Sequence, residues 1–182
     1  MQTAYITHPA CLKHDMGAHH PECPARIHAI NDQLIASGLL DYLNPFEAHR
    51  VTKEQLARVH EVTYIEDMFS KAPHAGFLDL DGDTIMNPYS LDAALYAAGA
   101  VVDAVDLVMS GRVQNAFCNI RPPGHHAGRA NPSGFCIFNN IAVAAAHALE
   151  HYGLERVAIV DFDVHHGDGT EDIFHDDSRV ML

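Results

Sequence analysis

Two loops hold most of the side chains in this 182-residue sequence that could do chemistry. The first is R-P-P-G-H-H-A-G-R-A-N-P-S-G-F-C-I-F-N-N, Arg121 to Asn140. In a helix the adjacent His125 and His126 would point about 100° apart. After Pro-Pro-Gly the backbone is instead extended and restricted in φ, so the two imidazoles can be fixed side by side. The second is D-F-D-V-H-H-G-D-G, Asp161 to Gly169. If a strand continues through it, Asp161, Asp163 and His165 share one face at period 2. A carboxylate oxygen beside an imidazole nitrogen suits zinc or a similar divalent ion. Zinc held by few protein ligands keeps an open position and lowers the pKa of water to about 7. Hydrolysis then needs a base for the water and an acid for the leaving amine, and histidine serves both near neutral pH. Each histidine needs an orienting partner, for which Asp161 and Asp168 are available.

The elements around these loops predict an α/β fold. Residues 2–6 read as a strand, and a His/Pro/Cys-rich loop follows to about Pro24. Residues 25–38 read as a helix with Ile27, Ile30, Leu34 and Ile35 on its apolar face and Gly38 as its stop. Short helical patterns follow near 53–59 and 62–71. The turn-rich F-L-D-L-D-G-D-T-I-M-N-P segment lacks the spacing and closing glutamate of an EF-hand, so it reads as an acidic surface loop. Helical spacing from about Tyr89 to Ser110 closes at Gly111. A strand is expected at Asn115–Ile120, and a second strong helix at Asn139–Tyr152, ended by Gly153. The run R-V-A-I-V-D, 156–161, reads as a strand covered on both faces. A short helical turn and a new strand near Arg179 complete the pattern.

This alternation points to a mainly parallel sheet. Both histidine-rich loops follow strands, which puts them at the sheet edge where such folds bind ligands. The chain reads as one domain, 1–182, with no repeat or linker. Its last residues, Arg179–Leu182, read as the start of a core strand, so a longer domain is expected.

Composition narrows the function. There are 11 basic and 24 acidic residues, a formal charge of −13, which argues against a nucleic-acid binder held by phosphate contacts. The same balance is compatible with a cationic substrate. No stretch of about 18 apolar residues suggests a membrane span, and no signal peptide is visible. Cys11, Cys23, Cys118 and Cys136 form no C-x-x-C pair, so reduced thiols and a cytoplasmic location are expected.

Three segments carry a resemblance: R-P-P-G-H-H-A, then G-F-C-I-F-N-N-I-A-V-A-A, then D-F-D-V-H-H-G-D-G-T-E-D-I-F. Together they resemble the histone deacetylase family, which includes acetylpolyamine amidohydrolases and acetoin-utilisation proteins. The early H-P-E-C-P-A-R segment is similar to the class II branch. The resemblance implies an arginase/deacetylase-like fold, a three-layer αβα arrangement with a mainly parallel sheet flanked by helices. It implies Zn2+ ligated by Asp163 and His165, His126 as general base and acid paired with Asp168, and His125 as an electrostatic partner paired with Asp161. Gly134 and Phe135 would line an acyl-lysine tunnel. Backbone carbonyls of Asp161, Asp163 and His165, with the Asp161 side chain, resemble an inner K+ site. Carbonyls of Phe174, Asp177 and Val180 resemble three ligands of an outer one. The family's domain is roughly twice as long. Its third zinc ligand, an aspartate, and its carbonyl-polarising tyrosine or histidine have no candidates here. The chain on its own is therefore expected to bind metal weakly and catalyse poorly.

The implied activity is zinc-dependent hydrolysis of an acetylated lysine on a protein, an acetylpolyamine or another small acyl amide. Two other classes compete. An arginase-like enzyme would need carboxylates bridging two manganese ions, and the first loop supplies no such set. A non-catalytic family member would be expected to have lost some of these histidines and carboxylates, and all are intact. Nothing in the chain fixes an oligomeric state.

Overall fold

A computed structural model describes residues 2–182. Strand β1 (Thr3–Thr7) is the centre of a three-stranded parallel sheet, flanked by β2 (Leu43–Glu47) and β5 (Asn115–Cys118). Thr3 is in register with Leu43 on one side and Asn115 on the other. Ala4 and Ile6 are fully buried and Tyr5 nearly so, as a central parallel strand covered on both faces requires. Strand β2 was not evident in the sequence because Pro45 interrupts it. Proline is tolerated there because β2 is an edge strand.

Helix α1 (Ala25–Ala36) follows β1, and α2 (Lys53–Leu56) and α3 (Val62–Lys71) follow β2. Only Ile27 of the expected α1 face is buried. Ile30 and Ile35 are exposed among the described residues. The acidic segment is not a plain loop but a short antiparallel hairpin, β3 (Leu78–Asp79) with β4 (Ile85–Met86). Its carboxylates serve its own backbone: Asp79 Oδ1 accepts the Asp81 and Gly82 amides, and Asp81 Oδ1 accepts those of Asp83 and Thr84.

Helices α4 (Ser90–Met109) and α5 (Asn140–Tyr152) pack against each other beside the sheet. Their shared face is built from small residues, including Ala94, Ala98, Ala142 and Ala145, and so lets the backbones approach closely. Larger side chains from α3, Ile65 and Met68, fill the adjoining core. Helix α5 begins as expected, with the Asn139 side chain accepting the Ala142 amide at 3.1 Å, and Gly153 ends it in the left-handed conformation at φ 67°.

The last strands, β6 (Val157–Ala158) and β7 (Val180–Met181), pair in parallel on either side of α6 (Asp168–Phe174). Among the described residues they share no hydrogen-bonded pair with the β1 sheet. The expected strand 156–161 is therefore short, and its burial on both faces is not observed. Ile159 is buried and bonds Met181 at 2.8 Å, but among the described residues Val160, Phe162 and Val164 are 80%, 95% and 91% exposed. Among the described residues no helix is long and apolar enough to cross a membrane.

Candidate active site

The first histidine loop leaves β5 and runs into α5, and its backbone is pinned from three directions. The Ala127 amide closes a turn on Gly124 at 3.1 Å, and the Thr170 amide of α6 donates to the His125 carbonyl at 3.1 Å. Buried Asn139, besides capping α5, donates its side-chain amide to the Ala127 carbonyl at 3.0 Å. Buried His60 completes the frame: its Nε2 accepts the Asn139 amide at 2.9 Å, so Nδ1 carries the proton and donates to the Gly128 carbonyl, also at 2.9 Å. Burial lowers the His60 pKa to about 4, so this imidazole stays neutral.

On that frame each catalytic-type histidine meets a carboxylate of the second loop, as the resemblance implied. His125 Nδ1 lies 2.8 Å from Asp161 Oδ2, and His126 Nδ1 lies 2.6 Å from Asp168 Oδ1. An ionised carboxylate only accepts, so both histidines carry their proton on Nδ1 and present Nε2 as the free acceptor. Burial raises the Asp168 pKa, but the His126 hydrogen bond and charge, with the Gly169 amide, outweigh it and hold the carboxyl below its ordinary range. The two imidazoles sit side by side, 4.1 Å between centroids.

Asp161, Asp163 and His165 come together by a different route from the one expected. They do not lie on a continued strand. Instead each carboxylate caps the residue two further on: Asp161 Oδ1 accepts the Asp163 amide at 3.1 Å, and Asp163 Oδ1 accepts the His165 amide at 2.8 Å. That amide is the main reason the Asp163 pKa is lowered. Asp163 Oδ1 and His165 Nδ1 are 3.1 Å apart, close to the separation of about 3.3 Å for two neighbouring ligands on a tetrahedral ion with bonds near 2.0–2.1 Å. One carboxylate and one imidazole thus fit the zinc expectation, with fewer protein ligands than zinc commonly has.

One cavity of about 560 Å³ is lined by His125, His126, Gly134, Phe135, Asp163 and His165. Gly134 (φ 53°) and Phe135 (φ 70°) form the centre of a tight turn, closed by paired amide bonds between Ser133 and Cys136. A side chain at Gly134 would run into the His126 ring. A phenylalanine in the left-handed region costs about 1–3 kcal/mol and persists only where its surroundings hold it.

The proposed potassium ligands are placed as follows. Both Asp161 carboxylate oxygens are engaged, by His125 and the Asp163 amide. Phe174, Asp177 and Val180 lie along the α6–β7 connection, where the Phe174 and Asp177 carbonyls accept the Asp177 and Val180 amides.

Another metal-capable set, Asp106, His147 and His151, has its ligand atoms within 4.8 Å of one another. Arg58 can only donate, and its Nη1 lies 2.7 Å from His147 Nδ1; the ring proton must then be on Nε2, 2.7 Å from Asp106 Oδ1. As it stands the cluster is joined by these hydrogen bonds and ties α4 to α5. All four cysteines are free, and burial pushes the Cys136 thiol up to about 12, which keeps it unreactive at neutral pH.

Sequence reasoning missed a charged support beneath the site. Arg121, the first residue of the histidine loop, and Glu22 are each 1% exposed. The guanidinium grips the carboxylate with two bonds of 2.6 Å and the carbonyls of Cys11 and His14 with its other nitrogen, at 2.7 and 2.8 Å. His14 Nε2 lies 3.3 Å from the same carboxylate. The only signal was the types themselves, an arginine opening the loop and a glutamate in H-P-E.

Comparison with known proteins agrees with this geometry. Residues 20–182 match the histone deacetylase domain. The chain is 37% identical to a probable deacetylase of Archaeoglobus fulgidus, covering 100% of this chain and 50% of that protein. It is 40% identical to the mouse polyamine deacetylase HDAC10, over 88% of this chain and 25% of that protein. The crystal structure of the HDA15 HD domain superposes with a TM-score of 0.92 at 38% identity, covering 98% of this chain and 51% of that one. The chain thus spans about half or less of the length of these relatives. With these matches, and with two histidine–aspartate pairs and the neighbouring Asp163 and His165 gathered at one cavity, it belongs to the histone deacetylase family.

Proposed function

We propose that the whole protein is a zinc-dependent deacetylase that hydrolyses the amide of an acetylated lysine or a related N-acetyl amine. The observation that carries this reading is the convergence of His126–Asp168, His125–Asp161 and Asp163–His165 on one cavity. Asp163 and His165 would hold zinc, with further ligation from elsewhere in the whole protein, and the ion would supply Lewis-acid activation of water and of the acyl carbonyl. His126, its Nδ1 proton held by Asp168, takes the proton from the attacking water on Nε2 and returns it to the departing amine. His125, held by Asp161, flanks that histidine as its electrostatic partner. Gly134 and Phe135 line the acyl-lysine tunnel, and the alkyl stem of the substrate suits that partly apolar lining. By the same resemblance K+ binds around Asp161 and in the α6–β7 connection as a structural ion. The mouse relative named a polyamine deacetylase, and the acidic balance of this chain, favour testing an acetylpolyamine beside an acetyl-lysine peptide.

Zinc removal is the direct test. Purified whole protein should contain one zinc per chain, lose turnover of both substrates on exhaustive chelation and regain it with added zinc. Turnover that survives chelation, or a content of two manganese ions per chain, would overturn the reading.

A further inference from the structure

We infer that Thr84 is a positioning residue for the acyl-binding wall: its hydroxyl clamps the Phe135 backbone and so sets the width of the cavity beside His126. The role in acyl binding rests on the deacetylase reading above; the clamp itself does not.

Thr84 is fully buried at the end of the acidic β3–β4 turn. Its hydroxyl accepts the Phe135 amide at 3.0 Å and has a single proton to give. That proton has two carboxylates within reach, Asp81 Oδ2 at 3.1 Å and, farther off, Asp83 Oδ1 at 3.4 Å, while the other oxygen of Asp81 accepts the Thr84 amide at 2.7 Å. The order is therefore fixed as a relay, with the Phe135 N–H donating to Thr84 and Thr84 donating to a charged acceptor. A carboxylate at the end of the chain polarises the hydroxyl and strengthens its hold on the amide.

The restraint acts where the backbone most needs it. Phe135 is a bulky residue at φ 70°, in a conformation that turns of this kind normally assign to glycine or asparagine. The Ser133–Cys136 bonds close the turn from behind. On the Phe135 ring the His20 imidazole packs edge-on at 4.7 Å, with its Nε2 3.3 Å from the Asp83 carbonyl of the same hairpin. The preceding residue, Gly134, lies directly against the His126 ring, and Asp83 itself reaches the cavity. A shift of the turn thus changes the acyl wall and the packing of the proton-transfer histidine together. The acidic segment acquires a purpose that its composition alone does not suggest.

The test compares Thr84→Val, which keeps the shape and loses the acceptor, with Thr84→Ser, which keeps the acceptor. Two quantities are read in the whole protein: amide hydrogen exchange at Phe135, with the Ala98 amide in α4 as an internal control for global stability, and the ratio of kcat/KM for butyryl- against acetyl-lysine peptide. Thr84→Val should speed Phe135 exchange by about tenfold or more relative to Ala98 and raise the butyryl-to-acetyl ratio by about tenfold. Thr84→Ser should leave both near the parent values. Unchanged Phe135 exchange and an unchanged ratio in Thr84→Val would overturn the clamp, as would Thr84→Ser behaving like the valine variant. If Thr84→Val does not fold, the parent decides: an unprotected Phe135 amide there also overturns it. Absence of any deacylase activity would sink the deacetylase reading, and the exchange measurement would still judge the clamp.

Discussion

Replacing His126 with alanine in the whole protein is expected to lower kcat by about 10²–10⁴-fold, the usual weight of general acid–base catalysis, while KM changes little. The geometry gives the reason. His126 lies on the cavity wall with Nδ1 2.6 Å from Asp168, an arrangement that fixes the ring and leaves only Nε2 to accept a proton. Asp168→Asn should be damaging too, because an amide can donate to Nδ1 and stabilise the wrong tautomer. His125→Ala, by contrast, removes a neighbour whose own carboxylate is Asp161 and should cost less. A His126→Ala protein that turned over acetyl-lysine peptide at the parent rate would remove it from the proton path and shift that role to His125.

The second large effect concerns stability. Glu22→Ala should destabilise the fold by about 3–5 kcal/mol, read as a lower urea midpoint, because it strands the Arg121 guanidinium in a site with 1% exposure. The carboxylate supplies two of the four hydrogen bonds that satisfy that group. The pH dependence follows from the same contacts. Burial alone would raise the Glu22 pKa, but the His14 and Arg121 contacts win and lower it to about 2, against about 4.3 for glutamate in an unfolded chain. A depressed folded pKa means that the stabilisation is complete above about pH 4.3 and drains away as pH falls toward about 2. The parent should lose melting temperature across that interval, and a Glu22→Gln variant should start lower and lose less of it. Equal acid slopes in the two proteins would show that Glu22 is not the group responsible.

These two sites were unequally legible in the sequence. The histidine–aspartate pairs could be read because their chemistry is packed into short runs, so that residue type and spacing alone bring donors and acceptors close. Glu22 and Arg121 are separated by 99 positions, and nothing local in either predicts that they meet. Thr84 is similar: a threonine after an acidic turn gives no sign that it will reach the Phe135 backbone. For the fold, α5 was readable from its cap and its terminal glycine, and β1 and β5 from short apolar runs. Strand β2 was hidden by Pro45, and the hairpin by the turn residues that build it. The apolar patterns of α1 and 156–161 promised burial that depends on a neighbour, and periodicity reports a face without saying whether anything lies against it.

The buried histidine beneath the loop has one more consequence. His60 holds the Asn139 amide and the Gly128 carbonyl as a neutral ring whose pKa lies near 4, well below the ordinary value of about 6.5. Histidines of ordinary pKa change charge between pH 5 and 8, while this one does not. The joint that carries the loop is therefore indifferent to acidity across that range. Over that range a change in proton concentration leaves the platform beneath the histidine loop as it is.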